Sequence, residues 1–475
     1  MRIAAFLLLL ILGFSSCSSG EEQSAESSND IPNIIFLIGD DQGYPYFGFN
    51  GADYVKTPNM DALAESGTLF TEGYVTDNHC RPSLQTLLTG KLPIDLYLES
   101  YQTMFTELIE KNIDPASILE YRQTYDLKGT GFSKFNTLPK MLSKLGYVSF
   151  QGGKWWEYSY QNGGFTHGMT EGWTEVEQRK PGWFQEHMGG KGMDLARVSN
   201  QAAYDFLEET KGKPFFMWFA PSLPHYPFDA PQKYMDIYKD AFMSESAKKY
   251  YANCSWFDDS WGEMVEYLKA NDLYENTLVI YVNDNGWEQG PDQEFINDPQ
   301  RSHNGGDKGK GSVYDLSFRS PIIFSWPGKV PAGLRSDALI HSSDIPATVL
   351  DYVGLPIPKD YYGVSYKKVI SREQENVRVH IVGNAVKSRS PDPNNMMGRT
   401  IEAYWVRMDD WFFRWHVTDD EKELFDLVND PLNKINLWNE YPGTAKEMLG
   451  IADHFRTTKG LDPRISFYNE LEKQK

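Results

Sequence analysis

The sequence predicts an α/β protein: a large mixed, mostly parallel sheet with helices on both faces, joined to a small C-terminal antiparallel sheet. Three observations predict this. Short β-branched runs alternate with amphipathic stretches of helical length, the pattern of a layered α/β sheet. Four of the apolar runs end in carboxylates, amides or bases. Past Pro356 and Pro358 the pattern changes to alternating aromatic and polar residues, which suits antiparallel strands. With 475 residues, the chain has room for one large core and a smaller appended unit. The expected division is a main unit over 31–370 and a C-terminal one over 371–475.

Residues 1–16 combine a basic start with an apolar run too short to span a bilayer, which reads as a signal peptide. The small residues before Cys17 resemble a bacterial lipoprotein signal. That resemblance implies a lipid on Cys17 as the sole membrane contact, and an exported protein. The expected location is the outer membrane or surface of a Gram-negative bacterium, with the periplasm as the alternative. Residues 17–30 are rich in Ser, Glu and Asn and read as a flexible tether. A lipidated Cys17 leaves only Cys80 and Cys254, so no disulfide framework is expected. Cys254 reads as an inert buried thiol on a helix. The formal charge of −20 argues against a nucleic-acid partner, because phosphate binding draws on clustered Lys and Arg. An anionic substrate would therefore need a locally positive pocket.

The first buried strand, N-I-I-F-L-I-G, delivers Asp40 and Asp41, and T-L-V-I-Y-V-N delivers Asp284 and Asn285. Paired acids after one strand often only cap a turn. Two such sets supply hard oxygen ligands suited to Ca²⁺ or Mg²⁺ rather than zinc. Burying them together without a cation would be costly, since like charges force protons onto one another. G-Y-V-S-F-Q-G-G leads into Lys154, and K-P-F-F-M-W-F-A-P precedes Ser222 and His225. Open α/β sheets bind ligands at the carboxyl ends of their strands, so these residues are expected to converge.

In N-H-C-R-P-S-L-Q-T-L-L-T-G, Pro82 suits a first helical turn and Gly90 a helix stop, which places Cys80 at a helix N-terminus. Such an end attracts an anion by roughly 0.3–1 kcal/mol, too little to hold it alone. Residues 155–192 are dense in Trp, Tyr, Phe and Gly. Flat aromatic faces edged with polar groups suit sugar rings, so this stretch reads as a glycan platform; the alternative is aromatic packing that pins a long loop.

C-R-P-S-L-Q-T-L-L-T-G resembles the Cys-x-Pro-Ser-Arg signature of the type I, formylglycine-dependent sulfatases of the alkaline-phosphatase-like superfamily. G-D-D-Q-G, T-P-N-M-D-A-L-A-E-S-G-T-L-F-T, N-D-N-G, K-G-S-V-Y-D-L-S-F-R-S-P-I-I-F-S-W-P-G and E-L-F-D-L-V-N-D-P resemble further motifs of that family. The resemblance covers nearly the whole mature chain. It implies that a formylglycine-generating enzyme converts Cys80 to formylglycine, and that Asp40, Asp41, Asp284 and Asn285 hold one Ca²⁺ with it, Mg²⁺ being the alternative. It also implies that Lys154, His225 and Lys310 contact sulfate or transfer protons. Lys310 is preferred over Lys308 by its spacing from the Arg319-Ser320-Pro321 run. The implied reaction is hydrolysis of sulfate esters on a sulfated carbohydrate.

Two positions depart from the family pattern. Leu84 stands where the signature has Arg, and Trp156 where a histidine serves as a base. Losing a positioned acid or base costs about 10²–10⁴-fold, and losing one charge contact about 10²–10³-fold. His79 and His303 are the candidate replacements, His303 also as a substrate contact. Two other functions follow from these departures and from the fold: a noncatalytic lipoprotein that binds sulfated glycans, or a phosphoester or phosphonate hydrolase.

Overall fold

The computed structural model describes residues 31–111, 125, 128–172, 183–286, 308–387 and 400–459. The signal, Cys17, the tether and His303 lie outside the described residues. Among those described, no helix is long and apolar enough to cross a membrane.

Among the described residues, ten strands precede the C-terminal sheet: β1 (Asn33–Gly39), β2 (Thr68–Phe70), β3 (Gly73–Tyr74), β4 (Val148–Gly153), β5 (His167–Gly168), β6 (Phe215–Ala220), β7 (Thr277–Asn283), β8 (Ile322–Ser325), β9 (Leu334–Ser336) and β10 (Ile340–His341). Eight of them form one sheet in the order β5-β4-β6-β1-β7-β8-β2-β9, while β3 and β10 pair separately. Strands β4, β6, β1 and β7 are adjacent and mutually parallel. They are the four apolar runs that end in polar residues, so their carboxyl ends share one edge. β8 is antiparallel to both β7 and β2, which makes the sheet mixed.

All seven residues of β1 are buried, as a strand covered on both faces requires. Side chains alternate between those faces. Ile34, Phe36 and Ile38 enter one apolar cluster with Leu84, Leu87 and Leu88 of the helix Cys80–Thr89. Ile35 and Leu37 enter the other with Phe257 and Trp261 of the helix Glu245–Ala270. Each such side chain fully removed from water contributes about 1.5–3 kcal/mol. The long helix is capped by Ser244, whose hydroxyl accepts from the Ala247 amide at 3.2 Å. Cys254 is buried on it, and both it and Cys80 are free thiols.

The C-terminal sheet is an antiparallel meander of β11 (His380–Lys387), β12 (Thr400–Met408), β13 (Trp411–His416) and β14 (Glu421–Asp426). The helix Pro442–Thr458 packs its apolar side on it through Ala445, Met448, Ala452 and Phe455. Trp405 stacks on Phe318 at 4.5 Å between ring centres and joins the main core, so the two sheets share one apolar seam.

The aromatic stretch differs in part from expectation. Trp155 is 3% exposed and packs edge-on against Trp218, Phe165 and Phe132, so it pins the core rather than offering a sugar platform. A short helix, Trp183–Met188, also interrupts the stretch, and residues 173–182 lie outside the described residues.

Candidate active site

In-register pairing builds the centre of the site. Gly39 of β1 lies opposite Asn283 of β7, so Asp40 and Asp284 leave the sheet side by side. The approach is so close that a Cβ on Gly39 would fall 2.3 Å from the Asn283 side-chain oxygen. On the other flank, the Asp40 amide donates to the Leu223 carbonyl at 3.0 Å, and the Lys154 amide to that of Ala220 at 2.7 Å. Asp41 has φ = 65°, a conformation a non-glycine residue adopts at a cost. Its amide donates to Asp284 Oδ1 at 3.2 Å, and Asn285 Nδ2 donates to its Oδ1 at 2.7 Å.

Cys80 opens its helix beneath this edge. One ligand atom each from Asp40, Asp41, Cys80 and Asp284 lie within 4.8 Å of one another, all four residues being buried. Lys154 Nζ, 1% exposed, sits between Asp40 and Asp284, donating to Asp40 Oδ1 and, at 3.0 Å, to Asp284 Oδ2. Lys310 Nζ donates to Asp41 Oδ2 at 2.7 Å, and His225 Nε2 stands 3.5 Å from the same oxygen. His225 Nδ1 is 2.5 Å from the Tyr226 carbonyl, which can only accept, so Nδ1 carries a proton. Thus Asp40, Asp41, Cys80, Asp284, Asn285, Lys154, His225 and Lys310 converge.

Burial dominates the electrostatics. It raises the Asp40 and Asp284 carboxyls, against the pull of Lys154. It would depress Lys154, but Asp284 and Asp40 outweigh it and hold the ammonium well above its ordinary value. His225 is lowered to about 3, by burial first, with Lys310 and Lys154 acting in the same direction against Asp41. The Cys80 thiol is pushed up by burial, so it stays protonated and is a poor nucleophile as such.

The donor set fits a hard divalent cation. Among the described residues, Asp40 Oδ2 and Asn285 Oδ1 are buried oxygens with no hydrogen-bond partner. Orphaned acceptors beside two further carboxylates are what an oxygen-loving ion would satisfy. Three carboxylates against two ammonium groups leave one negative charge, which a divalent ion inverts.

The sulfatase family profile matches residues 32–355, more than half the chain and all of this edge. The chain belongs to the sulfatase family. By class it is a sulfuric ester hydrolase. The profile described as N-sulphoglucosamine sulphohydrolase, C-terminal, matches residues 306–449. The N-acetylgalactosamine-6-sulfatase of Canis lupus familiaris is 27% identical over 382 residues, covering 74% of this chain and 67% of that protein. An ulvan-active sulfatase of Formosa agariphila is 24% identical over 477 residues, covering 89% and 81%. A structure solved in complex with its substrate D-glucosamine-2-N,6-O-disulfate superposes with a TM-score of 0.67 at 20% identity, covering 91% of this chain and 99% of that one.

Both departures from the sulfatase signature lie at one apolar cluster. Leu84 is 5% exposed within it, and half-buried Trp156 packs against it. The neighbouring Glu157 accepts from Arg81 Nε and Nη2 and from Gln85 Nε2, each at 2.8 Å. This charged clamp ties the Lys154 segment to the Cys80 helix. His79 is half exposed, its Nδ1 2.8 Å from Asn78 Oδ1 and 3.5 Å from the buried Asp77 carboxylate.

Other supporting residues are invisible in the sequence because they come from distant elements. Arg197 donates to the Ser222, His225 and Pro227 carbonyls, and Asn253 grips the same loop at Pro224, His225, Pro227 and Ala230. Tyr250, on the long helix, donates to the Asp41 carbonyl at 2.8 Å and accepts from the Gly43 amide at 3.3 Å. Tyr250→Phe removes both bonds from a buried setting and should lower stability by about 1–3 kcal/mol, read from urea unfolding. An unchanged midpoint would contradict the grip on Asp41.

Proposed function

We propose that this protein hydrolyses sulfate esters on a sulfated glycan with a formylglycine made from Cys80 and one divalent cation, Ca²⁺ or Mg²⁺. The observation that carries the reading is the pair of orphaned oxygens, Asp40 Oδ2 and Asn285 Oδ1, in the same buried nest as Cys80 and two lysines. Asp40, Asp41, Asp284, Asn285 and the modified Cys80 would hold the cation. Bound there, the cation and the formylglycine supply a nucleophile that is reactive at neutral pH, which the protonated Cys80 thiol is not.

The chain's own side chains do the rest. Lys154 and Lys310 point ammonium donors at the position where charge shifts on the sulfate oxygens. The protons at the site sit on the two lysine Nζ atoms, because His225 is neutral with its Nδ1 proton committed to Tyr226. Lys310, 15% exposed, is the acid nearer solvent and the donor to the departing sugar oxygen. His225 orients the leaving group through Nε2. Leu84 packs the nucleophile helix into the main apolar core, and half-buried Trp156 packs against the same core. The N-acetylgalactosamine and ulvan names of the relatives support a polysaccharide substrate, and export by the signal at residues 1–16, with a lipid on Cys17 as anchor, would bring the enzyme to it.

The test is peptide mass spectrometry across Cys80, on protein made alongside a formylglycine-generating enzyme, combined with sulfate release from sulfated sugars. We expect conversion of Cys80, and release that stops in chelator and returns with Ca²⁺ or Mg²⁺. At one hundred times its dissociation constant, the cation should also stabilise the fold by about 2.7 kcal/mol. An unmodified thiol in every preparation, with sulfated sugar bound but never cleaved, would make the protein a binder. Phosphate release without sulfate release would assign it to phosphoester chemistry.

A further inference from the structure

The segment carrying Lys310 is held at both of its ends by one residue of the C-terminal sheet region. Asn433 follows β14, is 1% exposed, and adopts φ = 52°. Its carbonyl accepts from Lys308 Nζ, and its side-chain Oδ1 accepts from the Asp315 amide at 3.0 Å. Between those ends, Lys310 reaches Asp41 at 2.7 Å. The middle of the segment is tied to the loop before Cys80: the Gly311 amide donates to the Asn78 carbonyl at 3.1 Å, and Asn78 Nδ2 to the Ser312 carbonyl at 2.7 Å. The ring of Tyr314 completes the seam, 5.8 Å from that of Phe425 and beneath the Arg414 guanidinium at 4.5 Å.

A lysine ammonium on a four-carbon stem is worth most to catalysis when its backbone is fixed, since a misplacement of about 1 Å can cost 10²-fold. Local support is slight: the Ser312 amide donates to the Gly309 carbonyl at 3.0 Å. Residues 309 to 314 form no regular helix or strand, so beyond that turn bond their placement depends on Asn78 on one side and Asn433 on the other. Left-handed backbone at Asn433 aims its carbonyl and its side-chain oxygen at the two ends of the segment at once, which few residues other than Asn tolerate. We infer that Asn433 is a positioning residue of the active site, through which the C-terminal sheet region sets the place of Lys310 relative to Cys80. This rests on the sulfatase reading for its chemistry, but not for its geometry.

The test uses the full chain carrying Asn433→Gly, Asn433→Asp, Lys310→Ala and the double substitution Lys310→Ala with Asn433→Gly. Glycine keeps the left-handed backbone and the carbonyl that receives Lys308, and removes the side chain with its Oδ1 acceptor; aspartate keeps that acceptor. Two readouts are taken: kcat for sulfate release, and the affinity for inorganic sulfate by calorimetry. Asn433→Gly should lower both by about 10–100-fold, as losing a residue that orients a ligating group does. Asn433→Asp should recover most of the loss. In the Lys310→Ala background, Asn433→Gly should add no more than about twofold, because the residue it positions is already gone. Full additivity of the two losses, or failure of aspartate to rescue, would overturn the inference. A wild-type protein that cleaves no sulfate ester while still showing the Lys310-dependent loss of sulfate affinity would sink the catalytic reading and leave the positioning role standing.

Discussion

Cys80→Ala should leave a folded protein that releases sulfate on the order of 10⁶-fold more slowly, the scale on which removing a covalent nucleophile acts. In the unconverted chain the side chain is small, 7% exposed, and its thiol is pushed up by burial and held protonated, so it contributes packing and no charge. Truncating it should therefore change stability by no more than about 1 kcal/mol. The helix that Cys80 opens does not rely on it for capping. Its cap residue is His79, with extended backbone, and the helix end is closed by Gly90 in the left-handed region. The cluster of Asp40, Asp41 and Asp284 also remains, so cation binding should survive in weakened form. Sulfate release and calorimetric unfolding of the same sample separate the two effects. A Cys80→Ala variant with wild-type turnover would remove the nucleophile from the proposal altogether.

The site was legible in the sequence because its residues follow strand-length apolar runs, and a parallel sheet brings the ends of such runs to one edge. Asn33–Gly39 and Thr277–Asn283 pair in register, which turns two sequence doublets, Asp40 with Asp41 and Asp284 with Asn285, into one nest. Sheet order was not legible. That β6 rather than β4 neighbours β1 follows from packing of both faces, and no local pattern encodes it. Trp155 shows the limit of composition: the same aromatic residue suits a sugar face or a core, and only its contacts with Trp218 and Phe165 decide. The residues that hold the site in shape were also out of reach. Tyr250, Asn253, Arg197 and Asn433 act through backbone carbonyls and amides of segments far away in the chain, and a backbone acceptor leaves no trace in the residue type. Leu84 and Trp156 were visible as departures. Their packing at one apolar cluster was not.

Lys154→Met should be the most damaging substitution at the site for stability. The ammonium is 1% exposed between two carboxylates that are themselves 2% and 1% exposed, and Asp41 adds a third. Methionine keeps the length of the stem and deletes the charge. Removing one partner of a buried ion pair costs about 3–5 kcal/mol, because the remaining charge has neither water nor a counterion. The loss should also depend on pH. Burial already raises the Asp40 and Asp284 carboxyls above their ordinary value of 3.8, and deleting Lys154, which opposes that rise, lifts them further. Groups whose carboxyls are raised on folding bind more protons folded than unfolded, so stability falls as pH climbs. In chelator, the variant should therefore lie closest to wild type below the unfolded carboxylate range and drift away as pH rises through the raised values toward neutrality. Added Ca²⁺ should close the gap at neutral pH, since the cation supplies the missing countercharge and binds only the folded nest. Sulfate release should fall by about 10²–10³-fold even with the cation present, as expected for one lost charge contact to the transferring group. Urea midpoints at pH 5 and pH 8, with and without Ca²⁺, read all of this. Equal midpoints for variant and wild type in chelator at pH 8 would mean that Lys154 does not neutralise the nest, and the charge balance proposed for the site would fail with it.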